Sequence, residues 1–299
     1  MILITGASGF IGTHLLSPLI EIYGQENVLA LTSKPISKCK YLLHNDYFFD
    51  DDYLVNSGFD NIDTILHLGA FTPKSNLASN EVKECNSNIA STSRLLTANL
   101  PKLKNFIFFS TLDVYAYDNP ITEKTQLSPS SLYGHSKLYC EQMISVWAGK
   151  KNICHQILRI GHVYGEGEEM YKKIIPLTMK NLLYNIPIEL YGDGSEVRSF
   201  IYIQDVINAV INVLKIESYV GIINIVGEEK ISIKKLVNEI ILISGLNTKI
   251  NVIKKTTPTR DLVFNNSKMK KLISTPKVRL KEGLIKEWNY MKNLNENIF

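Results

Sequence analysis

Tyr133 and Lys137 stand four residues apart in "YGHSK", the spacing that puts two side chains on one face of a helix. A tyrosine hydroxyl ordinarily ionises at about pH 10, too high for acid–base work near neutrality. An ammonium on the same face favours the phenolate and brings the phenol into a range where it can exchange a proton. Upstream, "STLDVY" (110–115) closes the apolar run "NFIFF" with a hydroxyl pair (Ser110, Thr111), a carboxylate (Asp113) and an aromatic ring (Tyr115). A carbonyl oxygen that gains hydride develops negative charge, and a hydroxyl and a phenol are groups that would meet that charge.

Such groups need a frame, and the first half of the chain reads as one. "ILIT", "VLALT", "TILHLGA", "NFIFFS" and "CHQILRI" are short apolar runs rich in β-branched residues, and "YLLHNDY" holds a further short strand. Helical stretches separate them, such as 11–24, ending at Gly24, and about 81–99. Strand–helix–strand alternation predicts an α/β fold: a Rossmann-type doubly wound parallel sheet with both faces covered. "STLDVY" then falls at a carboxyl edge, where ligands bind in such sheets. After about residue 165 the rhythm loosens. "GIINIVG" returns to the apolar type of the first half, and "ISIKKLVNEIILISG" reads as a helix capped by Ser232 and ended by Gly245. The expected division is a dinucleotide-binding domain over 1–165, joined again by about 196–228. A smaller C-terminal substrate-binding lobe would be built from 166–195 and 229–299.

Between the first strand and its helix lies "TGASGFIG", with Gly6, Gly9 and Gly12 three apart. The first glycine permits a tight turn, the second lets a pyrophosphate approach the backbone, and the third lets the helix pack closely. The helix N-terminus then offers amides and a positive dipole end. The residues after the second strand, Thr32, Ser33 and Lys34, include no acid to hold a ribose 2′-hydroxyl. Hydroxyls and a lysine suit a 2′-phosphate, so NADP(H) is favoured over NAD(H). Asp46 is a candidate adenine contact.

The composition sets outer limits. At 299 residues, 45% hydrophobic and 21% charged, the chain suits a packed globular protein rather than a disordered one. A net charge of +4 from 33 basic and 29 acidic residues is too balanced for a nucleic-acid partner. Cys39, Cys85, Cys140 and Cys154 lie far apart, with no spacing that suggests a metal site, and read as reduced thiols. The opening "MILITG" has no basic n-region, and no apolar run reaches the ~18 residues of a membrane helix. A cytoplasmic location and no membrane partner are expected.

Taken together, "TGASGFIG", "HLGA" (67–70), Asn88 in "NIASTSRLL", "STLDVY", "YGHSK", "RIGHVYG" (159–165) and "YGDGSEVRSFIYIQDVINA" (191–209) resemble the extended branch of the short-chain dehydrogenase/reductase family. That branch is the nucleotide-sugar epimerases, dehydratases and reductases. The resemblance implies that Thr111 hydrogen-bonds the substrate oxygen at the reacting carbon. It implies that Tyr133 exchanges that oxygen's proton and that Lys137 tunes Tyr133 and holds the nicotinamide ribose. Ser8, Phe10, Ile11, Leu68, Gly69, Ala70 and Ser110 would line the cofactor alongside the glycines. Arg198 and Arg260 would grip the substrate's pyrophosphate with their planar forks. His162 and the "GEGEE" loop (165–169) are candidate sugar contacts, and Asp205 is expected to cap the helix after "YIQ".

Among the family's chemistries, the 4,6-dehydratases follow the threonine with Asp and then Glu; here those positions hold Leu112 and Asp113, and the missing acid argues against dehydration. Reductases that also epimerise carry a Cys two residues after the hydroxyl, where this chain has Asp113. The galactose-type 4-epimerases hold NAD with an acid after the second strand, which this chain lacks. The expected activity is therefore reduction of a nucleoside-diphosphate 4-keto-6-deoxyhexose for surface-polysaccharide deoxysugars. A nucleotide-sugar epimerase is the alternative. Asp113 is an open position, either orienting the sugar or acting as a further acid–base. Non-catalytic dinucleotide sensors on this fold lose the Tyr or the Lys; this chain keeps both. Family resemblance also implies a homodimer through the helices of 81–99 and 133–148.

Overall fold

Runs such as "ILIT" and "VLALT" have no polar face, so they can form strands only where both sides are covered. In the computed structural model every residue of both is buried. The structure describes residues 1–46, 49–75, 77–116, 120–254 and 260–296. The first part of the chain runs β1 (Ile2–Thr5), α1 (Phe10–Tyr23), β2 (Val28–Thr32), β3 (Lys40–Leu43), α2 (Tyr53–Asn56), β4 (Thr64–His67), α3 (Val82–Thr97), β5 (Asn105–Thr111), α4 (Leu132–Lys151) and β6 (Cys154–Ile160). It continues with β7 (His162–Tyr164), α5 (Ile174–Leu183), β8 (Ile188–Tyr191), β9 (Val197–Tyr202), α6 (Ile203–Val213) and β10 (Ile222–Ile225). Then come β11 (Lys230–Ser232), α7 (Ile233–Ser244), β12 (Ile250–Ile253), α8 (Ser267–Leu272) and α9 (Leu280–Glu296).

The chain forms two compact units. One comprises Met1–Ala116, Thr125–Ile160 and Ile207–Asn224; the other comprises Tyr117–Lys124, Gly161–Val206 and Ile225–Phe299. The first unit is built on a seven-stranded sheet in the order β10-β6-β5-β4-β1-β2-β3. From β3 to β6 each neighbouring pair is parallel. The order reverses between β1 and β4, which makes the carboxyl ends of those strands the ligand crevice of a doubly wound sheet. One face of the sheet (Leu3, Leu29, Ile65, Phe106, Phe108) packs against Leu95 of α3 and Cys140 and Ile144 of α4.

In the second unit β9 lies between β7, parallel, and β11, antiparallel, and β8 pairs in parallel with β12. Ser232 caps α7 through a hydrogen bond from Lys235 N, and Gly245 ends it in the left-handed region at φ 66°, as the sequence predicts. Asp205 departs from expectation. Its carboxylate does not cap α6 but accepts from Lys277 N (2.9 Å) and Val278 N (3.0 Å), tying the segment before α9 to α6.

Candidate active site

The turn after β1 is shaped by close backbone approach. Gly6 has φ +70°, and a Cβ there would fall 2.7 Å from Gly69 N. A Cβ on Gly12 would run into Gly6 O, so α1 sits directly on the loop. Gly9 stands at the N-cap of α1 with no side chain to occupy the helix N-terminus, the end whose amides and dipole suit an anion. Ser8 is exposed, Phe10 is buried and Ile11 is half-buried. Leu68, Gly69 and Ala70 follow β4 beside the same turn, where Gly69 N donates to Thr5 Oγ1 at 2.8 Å. This cradle, closed to any side chain at Gly6 and Gly12, fits a dinucleotide pyrophosphate. At the end of β2, Thr32 is buried and its hydroxyl donates to Lys34 O (3.1 Å), so it shapes the turn. Ser33 and Lys34 are exposed, as is Asp46, which has φ 49°.

Thr111 is the last residue of β5, and its hydroxyl accepts from Asp113 N at 3.2 Å, tightening the turn over Leu112–Val114. Asp113 is exposed and Leu112 is buried. The first turn of α4 is pressed against that turn, since a Cβ on Gly134 would lie 2.6 Å from Asp113 O. Ser131 caps α4 by accepting from Gly134 N at 3.1 Å. Tyr133 is buried, with its ring edge-on to Phe71 at 6.5 Å between centroids. Asn88 of α3 fixes this corner. Its Oδ1 accepts from Phe71 N (2.7 Å), and its Nδ2 donates to Ser136 Oγ (3.3 Å), which itself donates to Tyr133 O (2.8 Å).

One turn on, Lys137 is buried with its Nζ 4.3 Å from the centre of the Phe108 ring. Burial lowers its pKa to about 8, against the opposing pull of Cys140 and Glu141. It is therefore still a cation at neutral pH, on the helix face that carries Tyr133. The structure places Thr111, Tyr133 and Lys137 on two elements in direct contact.

In the second unit, a cavity of about 170 Å³ is lined by His162, Glu168, Lys173, Arg198 and Phe200, among others. Arg198 Nη1 donates to Arg260 O at 2.6 Å and Val197 O at 2.9 Å, which fixes its fork. Burial, and then the charges of Arg198, Lys173 and Arg260, push the His162 pKa down to about 3. Its Nδ1 has no hydrogen-bond partner among the described residues. Lys173 pairs with Glu168 at 2.9 Å. The rest of the "GEGEE" loop is engaged: Glu166 accepts from the Tyr202 hydroxyl at 2.6 and 2.7 Å, and Glu169 from that of Tyr290 at 3.2 Å. Sequence reasoning missed Lys173, whose signal was only the basic pair "KK" before α5.

Residues 2–226 match the family described as NAD dependent epimerase/dehydratase. The chain belongs to that family. Among relatives, the chain is 31% identical over 98% of both chains to a protein of Bacillus subtilis named as an uncharacterised UDP-glucose epimerase. It is 29% identical, over 80% of both chains, to dTDP-4-dehydro-6-deoxyglucose reductase of Escherichia coli. Among solved structures it superposes on UDP-glucuronic acid 4-epimerase from Bacillus cereus, in complex with UDP-glucuronic acid and NAD. That match has a TM-score of 0.85 at 27% identity, covering 98% of this chain and 99% of the other. Among the described residues of this family member, no helix is long and apolar enough to cross a membrane.

Proposed function

We propose that the protein is a nucleotide-sugar 4-epimerase using a nicotinamide dinucleotide, with the first unit binding the cofactor and the second binding substrate. The observation that carries the chemistry is the buried Lys137 cation one turn from Tyr133 on α4, beside the turn that bears Thr111. When bound, the nicotinamide dinucleotide supplies the acceptor and donor of hydride. Tyr133 takes the proton from the sugar hydroxyl at the inverting carbon and returns it once the other configuration forms. Lys137 stabilises the phenolate between those events, and Thr111 donates a hydrogen bond to the sugar oxygen. Arg198, Arg260 and Lys173 hold the diphosphate, with charge-assisted bonds of the kind Arg makes to phosphate.

Epimerisation is favoured over the reduction expected from the sequence by the likeness over nearly the whole chain to an epimerase-named relative and to a 4-epimerase structure. Under this reading the cofactor is NAD(H), retained through turnover. Leu112, buried beside Thr111, supplies no acid for dehydration. The absence of an acid after β2 favours the second reading, a dissociable NADP(H) and reduction of a 4-keto sugar. Purified protein incubated with UDP-glucose or UDP-glucuronic acid, without added reductant and followed by NMR, separates them. Interconversion with NAD recovered from the protein supports the epimerase. Turnover only with NADPH and a 4-keto sugar overturns it. Exposed Val82 on α3 and Tyr139 and Val146 on α4 support a homodimer through those two helices; light scattering at a monomer mass would overturn it.

A further inference from the structure

Arg159 is fully buried, in β6, as the register partner of Ser110 in β5. A guanidinium taken out of water needs a compensating charge with good geometry. Glu141 of α4, also buried, supplies it: Arg159 Nε donates to Oε1 at 3.0 Å and Nη2 to Oε2 at 2.6 Å. Ser110 Oγ donates to the same Oε1 at 2.5 Å. The guanidinium also lies over Tyr115, with Cζ 4.6 Å from the ring centre, and the Tyr115 hydroxyl donates to Asn224 Oδ1 at 2.7 Å. Ser110 and Tyr115 bracket the turn that presents Thr111, so both ends of that turn are fixed to one ion pair. The acid of the pair lies four residues beyond Lys137 on the same face of α4.

A buried ion pair is a poor device for stability, because well-packed apolar residues of the same volume serve as well or better. What it provides is direction, since a two-point fork and a stacked ring fix both distance and angle. We propose that the Glu141–Arg159 pair is a positioning device, which holds the Thr111 hydroxyl in register with Tyr133 through Ser110 and Tyr115. This rests on the reading that Thr111 and Tyr133 meet the substrate. Neither Glu141 nor Arg159 touches substrate; they act through the turn.

The test is Ser110→Ala, which cuts the bond from the residue before Thr111 to the Glu141 carboxylate, with Arg159→Lys, which keeps the charge and loses the fork. The expected results are kcat lower by about tenfold and about a hundredfold respectively, the scale of a small misplacement of reacting groups. KM and cofactor content should stay within about twofold of wild type, as for loss of an interaction felt only in the transition state. The deuterium isotope effect on kcat should rise as hydride transfer becomes limiting. Folded Ser110→Ala enzyme with wild-type kcat, or a kcat loss matched by loss of cofactor, overturns the proposal. Should Arg159→Lys fail to fold, Ser110→Ala decides alone. Tyr133→Phe is measured alongside. If it turns over at the wild-type rate, the catalytic reading itself fails. If it is inactive while Ser110→Ala is not impaired, only the positioning role fails.

Discussion

His67 Nδ1 stands 2.8 Å from Thr5 Oγ1, joining the last residues of β4 and β1 at the point where the strand order reverses. The partners fix the tautomer. Thr92 donates its hydroxyl proton to Asn88 O (2.8 Å), so it can only accept from His67 Nε2 (3.0 Å). Nδ1 then accepts from Thr5, whose oxygen accepts in turn from Gly69 N. An imidazolium would turn Nδ1 into a donor and take away the acceptor of the Thr5 hydroxyl proton. Burial, and then the charge of Lys137, agree with this, pushing the His67 pKa down to about 3. The neutral ring thereby holds Gly69 against the Gly6 turn.

Acid should loosen this clamp. The unfolded chain binds a proton at His67 below about 6.5 and the folded chain only below about 3, so stability contributed here is lost as pH falls between those values. The slope from this one group reaches about 1.4 kcal/mol per pH unit. Urea unfolding of wild type and His67→Gln from pH 7 to pH 4 should show a flatter dependence in the variant. Parallel curves would remove His67 from the acid response.

Lys137 should set the alkaline side of catalysis. Its ammonium is lost as pH rises through about 8, and with it the support for the Tyr133 phenolate. Turnover should fall through the same pH. Stability should move the other way, because from about 8 to about 10.4 the unfolded chain holds the proton and the folded chain does not. A falling rate with a rising unfolding midpoint is the expected pair; a joint fall would assign the limb to unfolding. Tyr133→Phe should cost about 10²–10⁴-fold in kcat at any pH.

Local signals carried most of the first unit. Glycine spacing, strands buried on both faces and the Tyr133–Lys137 interval are properties of short stretches, and each appears where the sequence put it. What escaped was convergence. Arg159 reads as one of three polar residues, with His155 and Gln156, in the strand "CHQILRI", and Glu141 as an ordinary helix acid. Only the β5–β6 register and the face of α4 bring them together. Lys173 became a cavity residue in the same way, through the fold of the second unit. Asp205 was misread because its partners, Lys277 and Val278, are more than seventy residues on.

Gly134 should tolerate no side chain. A Cβ there meets Asp113 O at 2.6 Å and Pro129 Cβ at 2.9 Å, neither of which can swing aside. Gly134→Ala should lose about 1–3 kcal/mol by overpacking and displace the start of α4 that carries Tyr133. Gly149, in the same helix, has nothing within 4 Å of its would-be Cβ. Gly149→Ala should stabilise by about 0.5–1 kcal/mol on helix propensity alone. Thermal melts of the two variants give opposite signs if the contact at Gly134 is what matters.

The second-unit cavity should bind the anionic part of the substrate. Arg198, fixed by Arg260 O, and Lys173, paired with Glu168, line it beside His162, whose Nδ1 has no hydrogen-bond partner among the described residues. Hydrogen bonds to charged groups contribute about 1.5–3 kcal/mol, so Arg198→Ala or Lys173→Met should weaken UDP binding by about 10–150-fold. Because the same contacts are made before and during reaction, KM should rise far more than kcat falls. Calorimetric titration of UDP into each variant, with steady-state kinetics alongside, checks both parts. Wild-type UDP affinity in both variants would place the diphosphate away from this cavity.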